Sequence, residues 1–275
     1  MKIVIEPNKL QQLLKQVFMS MSKSSPLISE VIIICKPDEP NKKGKLIIAD
    51  QSLGFAGLYA QYAKDFFLQY ECEKQETILI TKTIFDTIMD SKTFIGDKQI
   101  TISTLDNHIY FRGERETYGE PLQEAKVSPF FKGAKPSEFG IIPEKYVPTM
   151  AFSTVPKEFD VPETEYFTLQ SDGTSIKVCT KDIGTYEKTL KISETLKPKL
   201  TQHQITLDQD YLDHQLANIS GEAIFSSDGI MFVTYQQTKD YMITYYLKGK
   251  EETEQEKASK PKQQEPPEPL QEDEL

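Results

Sequence analysis

The sequence predicts an α+β fold of two similar domains, each with two helices packed on an antiparallel sheet. The main observation is that both halves of the chain present helices and strands in a parallel order. In each half, the last helix is followed by two strands joined at an Asp-containing turn, at residues 105–107 and at Asp228-Gly229. This repeated order is typical of two domains that share one topology.

The first half opens with a predicted strand at residues 2–6 and a helix capped by Asn8. One face of this helix is apolar at helical spacing, through Leu10, Leu13, Leu14, Val17, Phe18 and Met21. Its other face carries Lys9, Gln12, Lys15, Gln16 and Lys23. Further elements are predicted as strands at 31–35, 45–49, 55–60 and 66–72, a helix from Thr81 to Gly96, and a hairpin at 100–112.

The second half repeats this order with shorter segments. A short helix is predicted between Pro148 and Pro156, and Asp208 is expected to cap a second one. The strands are predicted at residues 166–170, 175–180, 184–192, 203–207, 222–226, 230–235 and 240–247.

Composition divides the chain into four segments. Residues 113–140 carry Gly and Pro without a clear period, which predicts a linker between domain one, 1–112, and domain two, 141–250. The tail 251–275 holds nine acidic residues, three lysines and four prolines, and we expect it to be disordered. The net charge of −10 excludes a uniformly basic nucleic-acid binder, but it allows one basic face on an acidic protein.

Several classes of protein are disfavoured. No apolar stretch approaches the roughly 18 residues of a membrane span. The start, MKIVIEPNKL, lacks the apolar region of a signal peptide, so we expect a soluble intracellular protein. Three cysteines and three histidines are far apart, which favours neither a disulfide framework nor a metal site, and no cofactor is expected.

Four segments occur in an informative order. They are ADQS at 49–52 (followed by Ala56 and Leu58), FLQYECE at 67–73, LDQDYL at 207–212, and YMITYYLKGK at 241–250 before an acidic tail. Together they resemble the DNA sliding clamps of the proliferating cell nuclear antigen (PCNA) type, over roughly residues 1–250. The sequence departs from that family at Lys248-Gly249, where the family has Ala-Pro. It also departs in the last helix, which carries Asp208, Asp210 and Asp213 and no lysine.

The resemblance implies a ring whose helices line a hole that holds duplex DNA. Such a clamp is not an enzyme; it is a processivity factor that tethers DNA polymerase and other replication and repair enzymes. The implied partners are duplex DNA, a clamp loader, enzymes with clamp-binding peptides, and further copies in a homotrimer or related subunits in a heteromeric ring. The protein would lie with the DNA, in the cytoplasm of a prokaryote or infected cell or in a nucleus.

Three sets of site residues follow from the resemblance. The DNA-facing candidates are Lys9, Lys15, Lys82, Lys92, Lys23 and Lys145, although a lysine opposite an apolar stripe is equally typical of a solvated helix face. The partner-peptide pocket would use Phe55, Leu58, Leu122, Phe130, Tyr246, Leu247 and Lys248, although Phe55 and Leu58 can also be ordinary core residues and Tyr246 an ordinary strand tyrosine. The subunit interface would use edge strands around Ile109, Tyr110 and Phe111, through Arg112, and around Lys177, Val178 and Cys179, through Lys181. An aliphatic strand such as IKVCT at 176–180 is equally typical of an internal strand.

Two rival functions stay open. The first is an enzyme, although the sequence contains no nucleotide-binding, hydrolase or metalloprotease motif. His214 and Asp210 are four residues apart, a spacing typical of a pair on the surface of a helix. The other is a non-catalytic adaptor, or a clamp-like subunit of a heteromeric ring without a direct sliding role. The acidic last helix favours this second rival.

Overall fold

The computed structural model of the 275-residue chain describes residues 1–17, 30–50, 56–90, 94, 96–122, 148–180, 185–194 and 199–250. Residues 1–122 are called half one and residues 148–250 half two. None of the helices in these ranges is long and apolar enough to cross a membrane.

Half one contains nine strands and two α-helices within the described ranges. The strands are β1 Lys2–Ile5, β2 Glu30–Lys36, β3 Lys45–Asp50, β4 Ala56–Ala63, β5 Gln69–Glu71, β6 Glu76–Thr81, β7 Ile100–Leu105, β8 His108–Arg112 and β9 Thr117–Pro121. The helices are α1 Pro7–Val17 and α2 Lys82–Asp90, with a 3-10 helix at Lys64–Phe66.

Nine further strands lie in the described residues of half two. They are β10 Met150–Thr154, β11 Tyr166–Asp172, β12 Ile176–Thr180, β13 Tyr186–Thr189, β14 Lys199–Leu200, β15 Gln202–Asp208, β16 Ala223–Ser227, β17 Met231–Gln237 and β18 Tyr241–Lys248. In the described part of this half, the one α-helix is α3 Gln209–Ala217, and a 3-10 helix spans Pro156–Phe159.

The two halves repeat one strand order. Half one forms a five-stranded sheet, β5-β1-β7-β8-β9, and half two forms the equivalent order β14-β10-β16-β17-β18. Likewise β4-β3-β2-β6 in half one is equivalent to β13-β12-β11-β15 in half two. The predicted α+β clamp-like architecture of two similar halves on antiparallel sheets is therefore confirmed.

A seam joins the halves into one nine-stranded sheet. The last strand of half two, β18, pairs antiparallel with β4 of half one, from Tyr241 opposite Tyr62 to Leu247 opposite Ala56. At one end of the seam, the Ala63 amide donates to the Asp240 carbonyl over 2.9 Å. The chain is therefore held together at its middle by backbone hydrogen bonds between its two halves.

Helix α1 is fastened to both sides of this seam. Its apolar residues Leu10, Leu13 and Leu14 are buried in the main core. Gln16, which the sequence places on the polar face, is buried and accepts a hydrogen bond from the Tyr62 hydroxyl over 3.0 Å. The Tyr245 hydroxyl donates to the Gln16 carbonyl over 2.9 Å. One buried glutamine thus links the helix to β4 and β18.

Three predictions of local structure need correction. Helix α1 begins at Pro7 rather than after an Asn8 cap, because proline lacks the N–H that the first helical position leaves unpaired. The helix predicted between Pro148 and Pro156 is instead strand β10, whose five residues are all buried and paired with β16. As a result, the described residues of half two form one α-helix and a 3-10 helix where two helices were predicted.

The predicted linker also contains structure. Strand β9, Thr117–Pro121, lies inside the segment 113–140 and pairs with β8. The sheet of half one therefore extends to Pro121. The rest of the predicted linker, from residue 123, and the tail 251–275 lie outside the described residues.

Candidate interaction surfaces

The three helices lie in a row on the core side of the sheets. A cleft lined by Gln12 and Lys15 of α1 and by residues 217–220 after α3 separates these two helices. A second cleft, lined by Asn8 of α1 and by Ile88 of α2, lies at the other side of α1. Helix α1 therefore occupies the middle of the row, with α2 and α3 beside it.

The exposed side of α1 is polar and weakly cationic. Asn8, Gln11, Gln12 and Lys15 are exposed and recur every three or four residues, so they form one stripe on the helix. Three of the four are amides. This stripe can donate hydrogen bonds to an anionic ligand, but it adds one positive charge per chain.

The lysines predicted to face DNA have different surroundings. Lys15 is exposed beside the cleft between α1 and α3. Lys9 turns back onto its own half: its ammonium lies 3.7 Å from the Glu6 carboxylate and 5.6 Å from the centre of the Phe66 ring. Lys82 is the first residue of α2. The other three candidates, Lys23, Lys92 and Lys145, lie outside the described residues.

The exposed side of α3 is acidic. Asp210 and Asp213 are exposed, whereas Leu212 and Leu216 pack into the core. Asp208 accepts a hydrogen bond from the Tyr211 amide over 3.2 Å, as expected for a helix cap. Burial raises the pKa of Asp208, and the hydrogen bond from Tyr211 acts in the opposite direction.

A second surface lies on the opposite face of the nine-stranded sheet. Ile47, Tyr59, Val233 and Tyr246 form an apolar cluster that is separate from the main core. Alternate strand residues point to opposite faces, so this outer cluster lies behind the row of helices. Ile34, Ala49, Met231 and Met242 pack around it, and the cluster spans the seam between the halves.

The tyrosines of the outer cluster are largely shielded from water. Tyr59 is 2% exposed and Tyr246 is 3% exposed. Burial raises the pKa of Tyr59 to about 12, and it raises the pKa of Tyr246 as well. Both rings therefore lie in apolar surroundings that suit aliphatic or aromatic contacts.

The residues predicted for a partner-peptide pocket divide between the two faces. Tyr246 belongs to the outer cluster. Leu58 and Leu247 belong to the main core, one residue along each strand from Tyr59 and Tyr246 of the outer cluster. Lys248 is half-buried, and its backbone pairs with Met231.

The remaining pocket candidates are less informative. Leu122 packs against the main core, and its amide donates to the Asn107 carbonyl over 2.7 Å. Phe55 and Phe130 lie outside the described residues. Ile47, Tyr59 and Val233 of the outer cluster were not among the candidates. Runs such as LII at 46–48 and LYA at 58–60 were the available signal, because consecutive apolar residues indicate strands buried on both faces.

The predicted interface strands are interior strands. Ile109, Tyr110 and Phe111 lie in β8, which pairs with both β7 and β9. Lys177, Val178 and Cys179 lie in β12, which pairs with both β11 and β13. Their backbones are occupied on both sides, so neither strand can supply a pairing edge. The adjacent strands β9 and β13 each have one partner among the described strands.

Within the described ranges, no group of three or more His, Cys, Asp or Glu side chains is arranged to hold a metal ion.

A scan against protein-family models finds no match, and neither does a search of curated proteins. Solved structures do match. The C-terminal region of FEN-1 bound to A. fulgidus PCNA matches with a TM-score of 0.68 at 15% identity, covering 92% of this chain and 99% of that chain. The PCNA2–PCNA3 complex from Sulfolobus tokodaii matches with a TM-score of 0.65 at 11% identity, covering 90% and 99%.

The proliferating cellular nuclear antigen from Entamoeba histolytica matches with a TM-score of 0.63 at 14% identity, covering 90% of this chain and 98% of that chain. The chain therefore has the fold of the PCNA-type clamps. At these identities the likeness defines the fold, and residue roles depend on the surfaces described above.

Proposed function

We propose that the protein is a DNA sliding clamp: a non-enzymatic processivity factor that closes into a ring around duplex DNA. In this role it tethers a DNA polymerase and other replication and repair enzymes to their template. The fold is that of PCNA-type clamps, and the arrangement of the three helices and the outer cluster supports the two surfaces that such a ring needs.

One observation carries the proposal. The seam between β18 and β4 joins the halves inside the chain, whereas their equivalents, β9 and β13, have an open side among the described strands. Repeating the seam between chains satisfies both open edges at once. Because the two edges are different surfaces of one chain, the repeated contact is head-to-tail, which builds a closed ring when the rotation closes.

The row of helices is the proposed DNA-facing surface. Its stripe of amides with Lys15 can contact phosphates without reading bases, as sliding requires. Lys82, at the start of α2, belongs to the same row. Lys9, Lys23, Lys92 and Lys145 stay proposed contacts, although Lys9 also interacts with Glu6.

The outer cluster is the proposed site for partner peptides. The related archaeal clamp was solved with the C-terminal region of FEN-1 bound to it. We infer that short segments of replication enzymes bind this chain with aliphatic and aromatic anchors. The partly buried Ile34, Ala49, Met231 and Met242 provide the accessible apolar surface for such anchors, and Tyr59 and Tyr246 form the buried layer beneath them.

Topology distinguishes a ring from an ordinary DNA-binding protein. Subunits are diluted to dissociate them and then concentrated with nicked circular plasmid, and retained protein is measured at high salt. We expect retention on the circle and release after a restriction enzyme linearises it. Equal retention on both forms would contradict encirclement. Light scattering of the free protein should give about three times the chain mass.

The peptide site has its own test. A peptide from the C-terminal region of FEN-1 serves as the probe, and binding is followed by fluorescence anisotropy. Tyr246→Ala should weaken binding by tenfold or more, since a central aromatic contributes on the order of 2 kcal/mol. Tyr110→Ala, on a different sheet, is the matched control. An unchanged Tyr246→Ala affinity would move the site away from the outer cluster.

A second candidate function is an adaptor, or a subunit of a heteromeric ring that does not slide on DNA by itself. The acidic exposed side of α3 favours it, because Asp210 and Asp213 repel phosphates. Such a protein would stay monomeric in light scattering until its partner subunits are added.

A further inference from the structure

The outer cluster has a cationic border on the side of half one. Ile34 of β2 lies opposite Ile47 of β3, and both belong to the outer cluster or pack around it. The next pair of residues on the same face of these two strands is Lys36 opposite Lys45. Both lysines are half-buried. Two cations therefore lie one step along the strands from the apolar surface.

A hydrogen bond holds one of these cations against the cluster. The Lys45 ammonium donates to the Gln61 Oε1 atom over 2.7 Å. Gln61 lies on β4, opposite Ile47 on one side and opposite Met242 on the other. Because Ile47 and Met242 are both part of the apolar surface, the ammonium of Lys45 adjoins that surface directly.

Nearby lysines have carboxylate partners, whereas these two have none among the described residues. Three ion pairs occur in the region of the β2–β3 hairpin: Lys42 with Glu39, Lys43 with Asp65, and Lys64 with Asp38. Neither Lys36 nor Lys45 forms an ion pair with a described residue. The carboxylates around the hairpin are thus engaged with other lysines.

The ammonium groups of Lys36 and Lys45 also repel each other. Burial lowers the pKa of Lys45, the charges of Lys36 and Lys42 lower it further, and Glu39 acts in the opposite direction. A carboxylate placed between Lys36 and Lys45 would turn this repulsion into two attractions. At half-buried groups such attractions are screened less by salt than they are at an open surface.

The sheet frame does not require lysines at this border. The residues that directly precede α2 and α3 align the two halves, and the strand ladders then place Asp172 and Ser175 at the positions equivalent to Lys36 and Lys45. Asp172 accepts a hydrogen bond from the Ser175 amide over 2.8 Å and so closes its own turn. The cationic border is therefore a property of the outer cluster in half one rather than of the repeated fold.

We infer that the partner segments of the outer cluster are acidic beside their apolar anchors, and that an Asp or Glu carboxylate of the partner lies between the ammonium groups of Lys36 and Lys45. This inference rests on the proposed peptide site and names the class of partner that it takes. Neutral or basic segments with the same anchors would leave the two lysines uncompensated. The net charge of −10 repels acidic segments at long range, so the preference is local to this border.

Extended peptides test the charge preference. The peptide from the C-terminal region of FEN-1 is prepared with two added Glu, two added Gln or two added Lys residues, at either end in separate peptides. Binding to the full chain is measured by calorimetry at about 0.15 M salt, where the Debye length is about 8 Å. At one end, we expect the Glu extension to bind about fivefold more tightly than the Gln extension, and the Lys extension to bind less tightly. The end with the larger effect gives the direction of the bound segment.

Charge reversal on the protein assigns the preference to the two lysines. Lys36→Glu and Lys45→Glu should each remove the preference for the Glu extension over the Gln extension. The ratio of the two affinities is compared, so that a general loss of apolar contact cancels. Lys43→Glu makes the same change of net charge on the same hairpin, where Lys43 is exposed and pairs with Asp65, and it should keep the wild-type ratio.

The outcomes distinguish this inference from the proposed peptide site. If the peptides bind and Tyr246→Ala weakens them, but wild type binds the Glu and Gln extensions equally, the acidic partner is wrong and the peptide site stands. If the preference survives both Lys36→Glu and Lys45→Glu, the carboxylate binds elsewhere and the assignment to these lysines is wrong. If wild type binds none of the peptides, the peptide site itself is wrong and the inference is wrong with it.

Discussion

In half one, the connection between β1 and β2 contains the α-helix Pro7–Val17, whereas the equivalent connection in half two contains the 3-10 helix Pro156–Phe159. The strands beneath them have the same order. Half one fills the space between helix and sheet with leucines of α1. Half two fills the equivalent space with phenylalanines, and the centres of the Phe159 and Phe225 rings are 4.8 Å apart.

The difference has a consequence for charge. The helix surface of half one includes α1, with its amide stripe and Lys15, whereas the described helix surface of half two is mainly that of α3, with Asp210 and Asp213. The same sheet frame thus carries a weakly cationic surface in one half and an acidic one in the other. The halves are equivalent as frames for a ring, but they are unequal as surfaces for DNA.

The largest expected effect concerns Tyr245 and Tyr118, which occupy equivalent positions at the closed seam and at an open edge. Tyr245 is 1% exposed and its hydroxyl donates to Gln16, whereas Tyr118 is partly buried. Tyr245→Ala should lower the free energy of unfolding by about 3–5 kcal/mol. Tyr118→Ala should lower the free energy of unfolding of the monomer by less than half of that amount. Urea denaturation at low protein concentration measures both.

The hydroxyl of Tyr245 can be separated from its ring. Tyr245→Phe keeps the ring and should cost about 1 kcal/mol, through the lost hydrogen bond to Gln16. If the two alanine variants lost equal stability, the distinction between a closed seam and an open edge would be wrong.

A smaller effect is expected from the charges on α1 and α3. Lys15→Glu should weaken binding to duplex DNA roughly tenfold, and the salt dependence should lose about one phosphate contact per chain. Asp213→Lys should strengthen binding. Lys43, an exposed lysine that pairs with Asp65 outside the row of helices, provides the control Lys43→Glu. Fluorescence titrations at several salt concentrations measure each affinity.

Lys15→Glu and Asp213→Lys test the DNA-binding role of α1 in half one and of α3 in half two. Equal weakening by Lys15→Glu and Lys43→Glu would mean that DNA responds to net charge rather than to the row of helices. If Asp213→Lys leaves affinity unchanged while Lys15→Glu lowers it, half two makes no phosphate contact through α3.

The strand pattern and the hairpin turns were predictable from sequence because their signals are local. Gly173 and Gly229 take positive φ angles at the Asp-Gly turns, a conformation that glycine adopts without steric cost. Strand β10 was predicted as a helix because it lies between two prolines, although its phenylalanine and threonine favour strands. Strand β9 was predicted as part of the linker because it contains Gly and Pro, which are uncommon inside strands but are tolerated in edge strands.

The faces of the strands were harder to predict than the strands themselves. In Leu58-Tyr59 and in Tyr246-Leu247, both members are apolar and buried, so the pattern does not reveal which one points outward. Pairing across the seam decides it, because a shift of one residue exchanges the faces. Pocket residues therefore depend on register, which is a tertiary property, whereas the clamp-like order of elements depends on local signals.

The smallest expected effect is a difference in the pH dependence of thermal stability between the starts of α2 and α3. Thr81 accepts from the Ile84 amide over 3.4 Å, and its equivalent Asp208 accepts from Tyr211. Burial raises the pKa of Asp208 in the folded state. The protonated side chain therefore makes its whole contribution to the free energy of unfolding at pH values below the pKa of the unfolded chain, near 3.9. That contribution is lost as pH rises through the folded pKa, because the charged form is the one that burial disfavours.

Asp208→Asn keeps a capping oxygen but cannot ionise. We therefore expect its Tm at pH 7 to exceed that of wild type by no more than about 2 °C, with the difference disappearing at about pH 3. Thr81→Ser, at the equivalent position of half one, should show no such pH dependence, and thermal melts across this range measure both. A lower Tm for Asp208→Asn at pH 7 would mean that attraction between the carboxylate and the start of α3 outweighs its burial.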